Sequence, residues 1–236
     1  MDFDEFSKDY DRIHTENVKI SGETSDYFSK YKLKVINNFY LENKINKKIR
    51  FLDLGCGTGK IERYIFSYFP KAEVYGIDPS AESIKAAAST NTKALFSIYD
   101  GKKIPFKNDF FNAGLLSCVL HHILPNNRKQ ILKEARRVLK KDGYLFIFEH
   151  NPLNPLTKYA VKTCVFDRDA ILLGKGNCVN ILKNSGFSIR ETKYIVFFPK
   201  ILRFLRKFEE KLNWCPLGAQ YSIVACKKWQ EENFLF

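Results

Sequence analysis

The sequence lacks the features that mark several functional classes. No apolar run reaches the roughly 18 residues that a membrane-spanning helix needs. Six cysteines (Cys56, Cys118, Cys164, Cys178, Cys215, Cys226) contain no C-x-x-C, and no Cys/His spacing suits zinc. Four histidines (His14, His121, His122, His150) are few and scattered along the chain, so no metal site is expected. The bland reading is a reduced cytoplasmic protein with buried thiols. The start, Met1-Asp2-Phe3-Asp4-Glu5, is acidic and has no apolar h-region, so no secretory signal is expected. There is no Arg-rich tract, no RNA-binding module, no internal repeat and no low-complexity linker.

Apolar material is plentiful. Of 236 residues, 45% are hydrophobic and 15% aromatic, enough for one large core, so a single domain over 1–236 is expected. The formal charge is +13, from 39 Lys+Arg against 26 Asp+Glu. Such a balance suits nucleic acid or an anionic membrane surface. It also follows from a composition rich in Lys, Asn, Ile and Phe.

The first part, 1–48, reads as helical. Tyr27, Tyr31, Val35 and Phe39 recur every four residues and predict one apolar stripe. Ser21-Gly22 separates this helix from a segment with Phe3, Phe6, Tyr10 and Ile13. From Ile49 the pattern changes. Strands are predicted at 49–54, 73–77, 94–98, 110–117 and 144–148, with Asp142-Gly143 as a turn before the last. Helices are predicted at 59–69, 80–88 (capped by Ser80) and 126–140. This alternation implies a mostly parallel sheet covered on both faces. Later come a helix at 178–184 and strands at 189–198 and 221–226, which suggest an antiparallel edge pair. Lys200 to Trp214 is basic and aromatic. A regular helix there puts Ile201, Leu205, Phe208 and Leu212 near one face, as at a membrane surface or as an ordinary cover of the sheet edge.

The strongest local feature is Asp53-Leu54-Gly55-Cys56-Gly57-Thr58-Gly59. Glycines let the chain turn sharply after the first strand and let a ligand touch the backbone. The spacing is G-x-G-x-G, not the G-x-G-x-x-G of a dinucleotide fold. An acidic residue precedes it. Asp53 gives nothing to an anion but favours a ligand carrying an ammonium or sulfonium. Asp78 ends the next strand, where a carboxylate accepts both hydroxyls of a ribose. Asp100-Gly101 follows the third strand, where the carboxylate can take the amine edge of an adenine. Each alone reads equally as a turn or cap residue. Three at successive strand ends argue for one ligand on the carboxyl rim of the sheet.

The motifs FLDLGCGTG (51–59), VYGIDPS (74–80), YDGKKIPF (99–106), FFNAGLLSCVLHHI (110–123) and EARRVLKKDGYLFIFEH (134–150) resemble those of the class I S-adenosylmethionine-dependent methyltransferases. The broad type is that of the ubiquinone/menaquinone-pathway enzymes. The tail, with EHNPLNPLT (149–157) and PLGAQY (216–221), resembles an uncharacterised bacterial subgroup. The resemblance implies a Rossmann-like α/β fold, a seven-stranded, mostly parallel sheet with an antiparallel last strand. It implies S-adenosylmethionine as donor and S-adenosylhomocysteine as product. By the same analogy Gly55, Gly57 and Gly59 cradle the methionine part and Asp78 holds the ribose. Pro79 and Ser80 flank the adenine, Asp100 and Gly101 meet its edge, and Ser117 faces the methionine end. Within the single domain, 1–48 would be a lid, 49–150 the donor core and 151–236 the acceptor side.

Methyl transfer to a hydroxyl or acidic carbon gains from a base, roughly 10²–10⁴ in rate. His121, His122 and His150 sit at the expected rim, though capping or packing roles fit them as well. The expected acceptor is a small molecule, with a sugar or lipid-linked glycan precursor favoured, and peripheral contact with an anionic membrane goes with it. Charge alone motivates an RNA acceptor. A non-catalytic donor-binding subunit is a second rival, and a NAD-dependent dehydrogenase, for which the glycine spacing is wrong, a distant third.

Overall fold

The computed structural model describes residues 15–227. The segment with Phe3, Phe6, Tyr10, Ile13 and His14 lies outside the described residues.

Seven strands form one sheet: β1 (Arg50–Leu54), β2 (Glu73–Asp78), β3 (Leu95–Ile98), β4 (Phe111–Ser117), β5 (Leu139–His150), β6 (Phe187–Ile195) and β7 (Gln220–Lys227). Their order is β3-β2-β1-β4-β5-β7-β6. β7 runs antiparallel between β5 and β6, and the pairs from β3 to β5 are all parallel. The expected sheet and its antiparallel last strand are therefore present. The helices are α1 (Ser25–Glu42), α2 (Glu62–Tyr68), α3 (Ala81–Thr90), α4 (Pro125–Val138), α5 (Pro155–Thr163) and α6 (Lys175–Asn184).

Both faces of the central strands are buried. Phe51 packs in one apolar cluster and Leu52, its neighbour in β1, in the other. This is the period of two expected of a strand. The Leu52 cluster joins α4 and α6 to the sheet through Leu132, Val138 and Leu182. The Phe51 cluster joins α1 and α2 through Leu33, Ile36 and Ile65. Burying each such side chain is worth about 1.5–3 kcal/mol.

Three local expectations change. The core face of α1 carries Leu33, Ile36, Phe39 and Tyr40, while Tyr27, Tyr31 and Val35 are half-buried beside it. The helix is rotated because its Tyr27–Tyr31 edge meets the segment from Lys200 rather than the sheet. Asp142-Gly143 does not precede β5 but lies within it. The register jumps from Phe111↔Leu139 to Ala113↔Tyr144, so the extra residues bulge out of the ladder. Finally, Lys200–Leu212 is a 3-10 helix interrupted at Leu202, not a regular amphipathic α-helix. With about three residues per turn, Arg206 and Glu209 share the inward face. Glu209 accepts hydrogen bonds from the N–H groups of Phe197 and Phe198 and from Tyr31 Oη, at 3.1, 3.1 and 2.9 Å. Arg206 pairs with Glu23 at 2.8 Å and lies over the Tyr27 ring.

Candidate functional site

β2 lies on one side of β1 and β4 on the other, so the chain direction of strand addition reverses between β1 and β4. Such a switch point leaves a crevice beyond the carboxyl ends of the strands. A cavity of about 440 Å³ opens there. Its wall includes Asp53, Gly55, Gly57, Asp78, Pro79, Gly101, Ser117, His121, His122 and His150. Gly59, Ser80 and Asp100 are not in the wall.

The loop glycines do different things. Gly57 has φ +52 and open space where a Cβ would stand. It presents bare backbone to the cavity. Gly59 has φ +75, and a Cβ there would meet Asn91 Nδ2 at 2.5 Å and Ala87 at 3.0 Å. It lets α3 pack close, and Asn91 seals the contact by donating to the Gly59 carbonyl.

Asp78 is held by the loop it faces. Its Oδ2 accepts from Gly57 N–H and its Oδ1 from Ser80 N–H, both at 2.9 Å. Ser80 caps α3 by accepting from Ser83 N–H. Asp100 is exposed and closes its own turn, accepting from the N–H groups of Lys102 and Lys103 at 2.8 Å each. Those bonds hold its carboxyl below the ordinary carboxylate range.

Asp53 shares the strand face of Phe51, toward α1 and α2. It is buried, and its Oδ1 has no hydrogen-bond partner. Glu62, at the start of α2, is equally buried and lacks a donor on either oxygen. Burial raises the pKa of both carboxyls, and the nearby Asp53 charge raises that of Glu62 further. Lys32 of α1 donates to Ser117 Oγ at 2.8 Å and lies 3.4 Å from Cys118 Sγ. Lys60 donates to Ser25 Oγ at 2.5 Å. Thus α1 is fixed in the core and tied to the site, while 17–23 contribute to the cavity mouth.

Two non-glycine residues of the wall, Cys118 (φ 59) and Val196 (φ 61), have left-handed backbone. For a β-branched valine this is a costly conformation. Such outliers gather at functional sites.

The three rim histidines come together. The His121 and His122 ring centroids are 4.1 Å apart, and those of His121 and His150 are 5.1 Å apart. His121 Nδ1 stands 2.5 Å from Glu149 Oε2. Glu149 Oε1 accepts from Val119 and Leu120 N–H at 3.0 and 2.7 Å. Asp167 Oδ1 lies 3.4 Å from His121 Nε2 and 3.5 Å from His122 Nε2. Burial opposes charge on His121, but Glu149 and Asp167 outweigh it and raise its pKa to about 10. Burial and then the His121 charge push His122 and His150 down to about 4.

Sequence patterns did not single out Lys32, Glu62, Glu149 or Asp167. Glu62 reads as an ordinary acidic residue in a first helical turn, and only packing shows that it faces Asp53. Glu149 sat beside His150 in a strand, with nothing local to mark it as the partner of His121.

This is a Rossmann-like α/β fold whose ligand crevice lies at the switch point, with acidic groups and a glycine loop around it. Residues 52–147 match the model of a family described as a methyltransferase domain. A demethylmenaquinone methyltransferase of Thermotoga maritima is 31% identical over 105 residues, 44% of this chain and 45% of that protein. A tRNA (carboxymethyluridine(34)-5-O)-methyltransferase of Arabidopsis thaliana is 28% identical over 58% of this chain and 34% of its own length. The chain thus matches less than half the length of either relative. Among solved structures, a methyltransferase of Thermotoga maritima, described as a possible histamine N-methyltransferase, superposes with a TM-score of 0.67 at 18% identity. That match covers 96% of this chain and 98% of the other. Over residues 52–147 the chain thus matches a methyltransferase domain, and its fold is that of a solved S-adenosylmethionine-dependent methyltransferase.

Proposed function

We propose that the protein transfers a methyl group from S-adenosylmethionine to a small-molecule acceptor, and that the acceptor is a lipid-linked glycan precursor met at an anionic membrane surface. The observation that carries this reading is one cavity that joins the glycine loop and Asp53 to a mouth flanked by exposed apolar residues.

The residues present suit the donor. Asp53 Oδ1 is a buried acceptor without a donor, which fits an ammonium. The open space at Gly57 fits backbone contact with the methionine part. Asp78, beside Pro79, fits the ribose, and Gly101 offers an adenine edge. Ser117, fixed by Lys32, faces the methionine end. The exposed turn of Asp100 leaves it a supporting role through Gly101. The donor supplies an already activated sulfonium methyl. The protein then aligns the acceptor and excludes water, and alignment alone can contribute roughly 7–11 kcal/mol. His121, His122 and His150 border the place where the acceptor sits.

Membrane contact is supported by the cavity mouth. Ile20 and Leu156 line the cavity and are more than half exposed. In the segment that follows the wall residue Pro199, Ile201 is 84% and Trp214 75% exposed, with Phe204 and Leu217 also bare. Asn154 Nδ2 donates to the Leu217 carbonyl, which ties α5 to this segment. Lys200, Arg203 and Lys207 are interleaved with these residues. Apolar residues among cations suit an anionic bilayer surface. No described helix is long and apolar enough to cross a membrane.

The net charge of +13 and the tRNA-modifying relative favour RNA as the second reading. Incubation of the chain with methyl-labelled donor and a total cell extract, followed by separation of lipids, small solutes and RNA, tests both. Label in the lipid fraction is expected. Label confined to RNA overturns the acceptor assignment. No label in any fraction, with donor binding intact, favours a non-catalytic donor-binding subunit.

A further inference from the structure

His121, His150 and Asp167 each offer one ligand atom, and the three atoms lie within 4.8 Å of one another. They come from three places: the 3-10 turn after β4, the end of β5, and the 3-10 turn Val165–Asp167. All three residues are in the cavity wall.

His121 is prepared on one side only. Glu149 takes its Nδ1, and two backbone N–H groups hold Glu149 in turn. A carboxylate behind a histidine fixes the ring and makes the other nitrogen a better ligand. That other nitrogen, Nε2, is buried and has no hydrogen-bond partner. The residue itself is 1% exposed. Asp167 Oδ1, at 3.4 Å, is its neighbour across the gap. A buried polar atom left unpaired costs about 1–3 kcal/mol, a cost that a ligand at this position would relieve.

We propose that His121 Nε2, a His150 ring nitrogen and an Asp167 carboxylate oxygen bind one divalent first-row transition ion. Two imidazoles and a carboxylate are the ligand set of zinc, iron(II), manganese or cobalt, whereas magnesium and calcium take oxygen ligands. Bonds of about 2.0–2.1 Å place tetrahedral ligands about 3.4 Å apart, so the set closes by small side-chain movements. Three protein ligands leave a position open, as at catalytic rather than structural sites. Here it opens on the cavity and takes an oxygen of the acceptor. That use of the ion rests on the methyl-transfer reading; the ion site itself does not.

The test uses the full chain after treatment with a chelator. Cobalt(II) is titrated by calorimetry and visible absorption, and the zinc-loaded chain is studied by X-ray absorption. One equivalent is expected, with cobalt d–d bands and imidazole scattering at the zinc edge. His150→Ala and Asp167→Asn are expected to lower cobalt affinity at least 100-fold with unchanged far-UV circular dichroism. Glu149→Gln, acting through His121, is expected to lower it about 10–100-fold. Absence of uptake by the native chain, or uptake unchanged in both ligand variants, overturns the proposal. If the variants misfold, a zinc edge without imidazole scattering overturns it instead. S-adenosylhomocysteine is titrated in parallel. Its failure to bind strikes the methyl-transfer reading, while loss of metal uptake alone strikes only the ion site.

Discussion

Asp53 in β1 and Glu62 at the start of α2 are two buried carboxyls that act on each other beneath the glycine loop, with no donor from the rest of the protein on Asp53 Oδ1 or on either Glu62 oxygen. Burial is the largest cause of their raised pKa values, so the folded state holds protons that the unfolded chain releases. Where the folded form binds more protons, stability falls as pH rises. The loss begins above the ordinary carboxylate range and continues toward neutral pH. Glu62→Gln is expected to flatten this slope and to stabilise the chain at pH 8 by about 1–3 kcal/mol. Urea unfolding of both forms between pH 5 and 8 checks it. A native chain whose stability is level over that range would show that neither carboxyl is held protonated by burial.

Asp78 accepts from Gly57 and Ser80 in the free protein and is proposed to hold the ribose. A ligand at 100 times its Kd stabilises a fold by about 2.7 kcal/mol. Asp78→Ala is expected to abolish most of the melting shift caused by S-adenosylhomocysteine. Asp78→Asn controls for the lost loop bonds. An undiminished shift in Asp78→Ala would show that the ribose lies elsewhere.

Gly57 and Gly59 are both left-handed but face different surroundings. Gly59→Ala drives a Cβ into Asn91 and Ala87. It is expected to lower stability by more than the about 1–2 kcal/mol of backbone strain alone. Gly57→Ala meets no protein atom, so its stability loss is limited to that strain while donor affinity falls at least tenfold. Denaturant unfolding and calorimetry of the two variants should separate in this way. Equal stability losses would contradict the two roles.

Ile201 and Phe204 are exposed and stand among cations in the chain. The native chain is expected to sediment with phosphatidylserine vesicles at low salt and progressively less as salt screens the charges. Ile201→Asp with Phe204→Asp is expected to reduce binding at least tenfold without changing the melting temperature. Native-like binding by the double variant would place the contact on another face.

Strand-ending glycines and acidic residues made the crevice at the strand ends legible from sequence. Gly57 and Asp78 meet across one hydrogen bond because adjacent parallel strands must end at one rim. Asp100 and Gly59 show the limit. The pattern groups them with the other rim residues, but one closes a turn and the other admits a helix. The segment from Lys200 showed its composition and not its geometry, since Arg206 and Glu209 are turned inward by partners on α1 and at the end of β6.

Local order thus determined what depends on neighbours along the chain: the alternation of strand and helix, the glycine turn, the Ser80 cap and the family motifs. Only the tertiary structure decided what depends on distant residues meeting in a medium without water. Lys32 reaches Ser117, Glu62 faces Asp53, and Glu149 and Asp167 flank His121 because packing removes the solvent that would otherwise satisfy each charge. A buried charge must then find its partner across the fold, and no spacing in the sequence records that encounter.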